Sequence, residues 1–129
     1  MPIFKEVMKE RRIAPRYRCD FTVAVEVEKQ RYDFAASNIS VTGLAVQVSQ
    51  SAKQALAGLE MRLEVGDQLS LLLPAVDGGL PSVAARCQVQ YVRRLSQQAW
   101  LMGCQFIDLD SATQRLIEER VTSLQGHHD

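Results

Sequence analysis

Residues 21–48 read FTVAVEVEKQRYDFAASNISVTGLAVQV, and the fold turns on this stretch. Phe21, Val23, Val25 and Val27 alternate with Thr22, Ala24, Glu26 and Glu28. Successive side chains of an extended backbone point to opposite faces, so the pattern is that of a strand with one face in a core and the other in water. Residues 31–37 (RYDFAAS) predict a second strand, the polar segment 38–43 a turn, and Leu44, Val46 and Val48 a third strand with restored alternation. Strands this close in the chain pair as antiparallel neighbours.

Working outward, Ala52 to Ala57 suits a short helix, which Gly58 and Gly66 keep from growing. Leu69 to Leu73 predicts a strand ending at Pro74, and the loop AVDGGLP (75–81) combines three strong turn formers. Val83, Ala85, Cys87, Val89 and Tyr91 then share one face. After the polar hinge RLSQQ (94–98), Trp100, Met102, Cys104 and Phe106 repeat the alternation, so the pair reads as a long hairpin. Ser111 with Gln114 three residues on forms a capping-box signature, and Ala112, Leu116, Ile117, Val121 and Leu124 mark the apolar face of a closing helix. The expected fold is mainly β: a closed six-stranded antiparallel barrel with a C-terminal α-helix. The expected organisation is one domain, with a basic N-terminal arm over 1–18 and the barrel with its helix over 19–125.

Composition bounds the function. The chain has 129 residues, 47% apolar and 23% charged, enough to bury a core without disulfides or a metal. No apolar run approaches the roughly 18 residues of a membrane helix, so no membrane insertion is expected. The start MPIFKEVMKERR puts charge where a signal peptide needs an apolar stretch, and the expected location is cytoplasmic. Cys19, Cys87 and Cys104 are odd in number and form no CxxC pair, which reads as reduced, structural thiols. Net charge is zero, which argues against a protein that coats DNA or RNA. Residues 1–18 nonetheless hold six cations against two carboxylates, a balance of plus four that the remaining residues cancel.

Enzyme readings find little footing. The only histidines are His127 and His128 at the end of the chain, so no His-based triad or acid–base pair can be built inside the fold. Asp108 and Asp110 read as solvated residues before the helix, and no phosphate-binding glycine loop is present. Single-stranded nucleic-acid binding needs exposed aromatic platforms, whereas most aromatics here fall on inward positions. The expectation is a binding module, not an enzyme, with no cofactor and no metal.

Two segments can carry binding chemistry. In Arg11-Arg12-Ile13-Ala14-Pro15-Arg16 three guanidiniums lie just before the first barrel strand. Guanidinium forks bind phosphate oxygens bidentately and read the acceptor edge of guanine. Pro15 stiffens the segment, which lowers the entropy lost on binding. Read alone, the arginines fit a solvated face, the usual fate of a charge run. In Asn38-Ile39-Ser40-Val41-Thr42-Gly43 the amide and hydroxyl offer hydrogen bonds, and Gly43 permits close backbone approach. Read alone, this is an ordinary β-turn.

Together the two segments resemble the PilZ domain family of cyclic di-GMP receptors, which is marked by RxxxR followed by [D/N]xSxxG. Arg12 and Arg16 match the first motif, with Glu10-Arg11 similar to its common entry; Asn38, Ser40 and Gly43 match the second. Val65-Gly66-Asp67-Gln68-Leu69 resembles the start of a family strand, and Gly103-Cys104-Gln105-Phe106 a late G-x-x-F strand. The resemblance spans roughly residues 10–120. It implies a six-stranded barrel on which the arm wraps cyclic di-GMP against the second motif. By it, Arg12 and Arg16 would hold phosphates and guanine edges, Asn38 and Ser40 would bond a guanine and its phosphate, and Gly43 would keep the floor clear. Arg11 would add a third cation and favour a stacked ligand dimer over a single molecule. Tyr91 and Arg93 sit where the family places an aromatic or basic residue near a guanine, although Tyr91 alone also reads as a core ring. Asn38 departs from the commoner Asp, and residues 49–64 form a longer connection than usual, available as a partner surface. The function implied is a bacterial second-messenger effector whose arm changes conformation on binding cyclic di-GMP and signals to a protein partner. The alternative is an adaptor of the same fold that binds no nucleotide.

Overall fold

The computed structural model describes residues 14–76 and 79–126; Arg11, Arg12 and most of the expected arm lie outside them. Among the described residues seven strands follow one another: β1 (Tyr17–Arg18), β2 (Thr22–Val27), β3 (Gln30–Ile39), β4 (Gly43–Ser49), β5 (Gln68–Leu73), β6 (Val83–Arg94) and β7 (Ala99–Phe106). They hydrogen-bond in the order β1-β3-β2-β5-β6-β7-β4, and β4 pairs back onto β3. That last pairing closes β2–β7 into the six-stranded antiparallel barrel that the alternation predicted, with β1 a two-residue addition to β3. Closure removes the open edges that would otherwise invite pairing with other chains.

The inward faces are those of the period-two pattern. Val23, Val25, Phe34, Leu71, Val89 and Met102 are among the residues of one buried cluster, each contributing about 1.5–3 kcal/mol by leaving water. Helix α1 (Gln50–Ala57) follows β4 directly; the Ser49 hydroxyl caps it by accepting from Ala52 N at 3.1 Å, and the chain leaves it at Gly58. Its Leu56, with Leu63 beyond, is fully buried at one barrel mouth. Trp100 ties the helix to the β6–β7 hairpin: its Nε1 donates to Gln50 Oε1 at 2.6 Å, and the Arg94 guanidinium and Lys53 Nζ lie 4.3 and 4.9 Å from its ring centre.

Helix α2 (Ser111–Gly126) covers the other mouth through Ile117 and Val121. Its details differ from expectation. The cap is Asp110, not Ser111: Asp110 Oδ1 accepts from Thr113 N at 2.7 Å. A carboxylate one residue earlier is the stronger acceptor for the free N–H groups of the first turn. Ala112 is exposed, and Arg120 instead is buried at 3% exposure. Arg120 Nη2 donates to the carbonyls of Pro74 (2.5 Å) and Pro81 (3.2 Å), and its guanidinium lies 5.6 Å from the centre of the Phe21 ring. No helix among the described residues is long and apolar enough to cross a membrane.

Two further corrections bear on the site. Asn38 is not in a turn but in β3, paired with Ala45 of β4 and Arg18 of β1. Tyr91 does not continue the inward row of β6. The β6–β7 register shifts between Val89 and Tyr91, so the inserted Gln90 turns Tyr91 outward, and Val92 takes the inward place opposite Met102.

Candidate ligand-binding site

The two motif segments meet through the β1–β3 pairing. Tyr17 and Arg18 register with Ile39 and Asn38, which brings the residue before β1 over the same row. Arg16 Nη1 donates to Asn38 Oδ1 at 2.8 Å, across 22 positions of sequence. Arg16 stays exposed, so the bond orients the guanidinium while leaving it accessible to an anion.

Ser40 and Gly43 act underneath. Ser40 is fully buried. Its backbone N donates to Gly43 O at 2.8 Å, its hydroxyl accepts from Thr42 N at 3.1 Å, and the Ser40 and Thr42 hydroxyls lie 3.0 Å apart. The hydroxyl thus orders the turn between β3 and β4 instead of facing solvent. Gly43 is held against β7, where a β-carbon would collide with the main-chain carbonyl of Cys104. Phe106 N donates to Thr42 O at 2.9 Å and locks the turn to the same strand.

On the outer face beside this turn lies a cleft of about 390 Å³ bounded by Arg16, Thr42, Gln90, Tyr91 and Gln105, with Gly103 and Cys104 at its floor. Tyr91 is 41% exposed and its ring lies on Gly103, where no β-carbon would fit. Burial pushes the Cys104 thiol up to about 12, so this residue is neutral. Among the described residues the cleft offers one cation, an aromatic face, a hydroxyl and two amides, and no carboxylate among them lines it. That set suits an anion carrying planar rings. Among the described residues no group of His, Cys, Asp or Glu can hold a metal ion.

Of the residues singled out from sequence, the structure brings Arg16, Asn38, Ser40, Gly43 and Tyr91 together around the turn and cleft. Arg93 is exposed opposite Leu101 and does not line the cleft. Thr42, Gln90 and Gln105 were missed. Thr42 and Gln105 occupy unspecified positions inside the two motif segments, and Gln90 reaches the surface only because of the bulge.

Solved structures similar to the chain include the PilZ domain with c-di-GMP of YcgR from Escherichia coli, with TM-score 0.69, 11% identity, and coverage of 92% of this chain and 94% of that one. The Bacillus subtilis inhibitor of motility MotI/DgrA gives 0.70 and 15%, covering 92% and 53%. The K. pneumonia MrkH–c-di-GMP complex gives 0.66 and 21%, covering 92% and 54%. The chain thus spans about half the length of the latter two, and at these identities the likeness shows the fold. No curated protein sequence matches the chain. The PilZ domain family model matches residues 10–123, and with Arg16 of the first motif bonded to Asn38 of the second on a closed barrel, the chain belongs to the PilZ domain family, a family of cyclic di-GMP receptors.

Proposed function

We propose that this chain is a cyclic di-GMP receptor that takes the ligand between its N-terminal arm and the outer face of β4, β7 and β6. The observation that carries the reading is the Arg16–Asn38 hydrogen bond, which holds a guanidinium from the arm motif over the strand motif, beside a cleft that no carboxylate among the described residues lines. In this reading Arg16, joined by Arg12 and Arg11, binds the phosphates and a guanine edge. Asn38 exchanges its arginine partner for ligand contacts, and Tyr91 offers its ring to a base. Ser40 and Gly43 act from below by fixing the turn. Binding changes the conformation of the arm, and the changed surface addresses a protein partner.

One observation favours the adaptor alternative. The burial of Ser40 and the packing of Gly43 against β7 account for both residues without any ligand.

Calorimetric titration of the chain with cyclic di-GMP separates the two. A charge-assisted hydrogen bond is worth about 1.5–3 kcal/mol, so Arg16→Ala weakens saturable binding by roughly ten- to a hundred-fold, and the Arg12→Ala, Arg16→Ala double variant abolishes it. Absence of heat and of thermal stabilisation at high ligand concentration would establish the nucleotide-free adaptor instead.

A further inference from the structure

A second hollow lies on the same outer face. It measures about 650 Å³ and is bounded by Arg18, Asp20, Ser37 and Gln47, over Ala35 and Ala36. The register separates it from the first cleft. Asn38 pairs with Ala45 and Ala45 with Gly103, so the first cleft lies on the β6–β7 side of this row and the second on the β1–β3 side. Arg16, bonded to Asn38, stands between them. Both volumes fall within the range of about 300–1,000 Å³ typical of small-molecule sites.

The two hollows differ in chemistry. A carboxylate repels phosphate, so Asp20 makes the second hollow a poor place for the anionic part of a nucleotide. It makes it a good place for a guanine. Tyr17 and Cys19 pack toward the core, whereas Arg18 and Asp20 are both exposed. Neither side chain forms a hydrogen bond or ion pair among the described residues. Guanine presents O6 and N7 as acceptors, which a guanidinium reads bidentately, and N1–H and an exocyclic amine as donors, which a carboxylate accepts. Adenine has no such adjacent donor pair. Ser37 and Gln47 add neutral hydrogen-bonding groups at the rim.

We propose that this hollow is a guanine subsite, in which Asp20 accepts from N1–H and the exocyclic amine and Arg18 donates to O6 and N7. The phosphates then lie at Arg16 and the other base at Tyr91. This rests on the receptor reading and adds to it the residue that selects guanine over adenine.

The test is calorimetry on the full chain with cyclic di-GMP and cyclic di-AMP, comparing the parent with Arg18→Ala, Asp20→Ala and Asp20→Asn, each first checked for a native circular dichroism spectrum and melting point. The parent prefers cyclic di-GMP. Asp20→Ala and Asp20→Asn bind it about tenfold or more weakly and lose a similar factor of discrimination against cyclic di-AMP. Arg18→Ala also weakens cyclic di-GMP. An independent readout is Cys19, beside Asp20 in the same hollow: cyclic di-GMP slows maleimide labelling of this thiol in the parent. If the parent binds cyclic di-GMP while both Asp20 variants keep its affinity and discrimination, or bind more tightly, the subsite is refuted and the receptor reading stands. If the parent binds neither dinucleotide, the receptor reading falls and the subsite with it.

Discussion

The ring of Tyr91 lies over Gly103, directly across the β6–β7 ladder, in the space a β-carbon at Gly103 would need. The bulge at Gln90 puts the ring outside the barrel, and the glycine lets it approach the sheet. The G-x-x-F segment read from the sequence therefore has a packing reason for its first residue.

Gly103→Ala should accordingly displace the Tyr91 ring from the cleft floor. The ring sits at the end of a side chain that can rotate into solvent, so the stability cost stays below about 1.5 kcal/mol. In a Tyr91→Ala background the same substitution should cost almost nothing. A double-mutant cycle by urea unfolding measures the difference, and a coupling energy near zero would contradict the contact.

Gly43→Ala should be worse than Gly103→Ala. The obstacle at Gly43 is the Cys104 carbonyl, which is main chain and cannot rotate away, so β4 must move off β7 where Gly43 pairs with Gln105. The expected loss is about 1–3 kcal/mol or more, read as a lower urea midpoint with unchanged slope.

Arg120 is a buried cation whose Nε and Nη1 have no hydrogen-bond partner among the described residues, and burial pulls its pKa down. Arg120→Ala removes packing against Phe21 and should cost about 2–4 kcal/mol. Arg120→Met loses the bonds to Pro74 and Pro81 but also removes two unsatisfied donors and a desolvated charge, so it should remain within about 1.5 kcal/mol of the parent. Thermal and urea unfolding of the pair decides this; a Met variant as unstable as the Ala variant would mean that the charge itself is stabilising.

The Asp110 cap predicts a pH dependence. The Thr113 backbone N–H, aided by its hydroxyl, holds the Asp110 carboxyl below its ordinary value of 3.8. A group whose folded pKa is depressed contributes stability that is fully present above the unfolded pKa and is lost as pH falls through the folded one. Asp110→Ala should therefore lower the melting temperature at neutral pH, and the gap should narrow as pH drops below 3.8. Asp110→Asn retains a capping oxygen and should be less sensitive to pH in that window.

The three thiols should be slow nucleophiles. Burial raises Cys87 far above the thiol range and Cys104 to about 12. Burial, with the neighbouring charge of Asp20, raises Cys19 to about 11. Since the thiolate is the reactive species, a disulfide reagent at neutral pH should titrate none of the three rapidly in the native protein and all three in denaturant. A fast native thiol would show that one of these sites opens.

The sequence by itself determined the barrel, because a period-two pattern is a local property that survives in any register: the core positions Val23, Val46, Val89 and Met102 were all readable, as were both helices. It also determined the family, since the arginine and Asn-x-Ser motifs are written in order along the chain. Only the tertiary structure decided where that pattern breaks. One inserted residue at Gln90 reverses the side of Tyr91, a fact set by pairing with β7 and not by the composition of β6. Which hydrogen bonds Ser40 makes, whether Asp110 or Ser111 caps the helix, and that a charged Arg120 can be buried all depend on competition among groups brought together by folding. The same holds for the candidate site, in which Arg16 is joined to Asn38 through strand register, a quantity no stretch of sequence contains on its own.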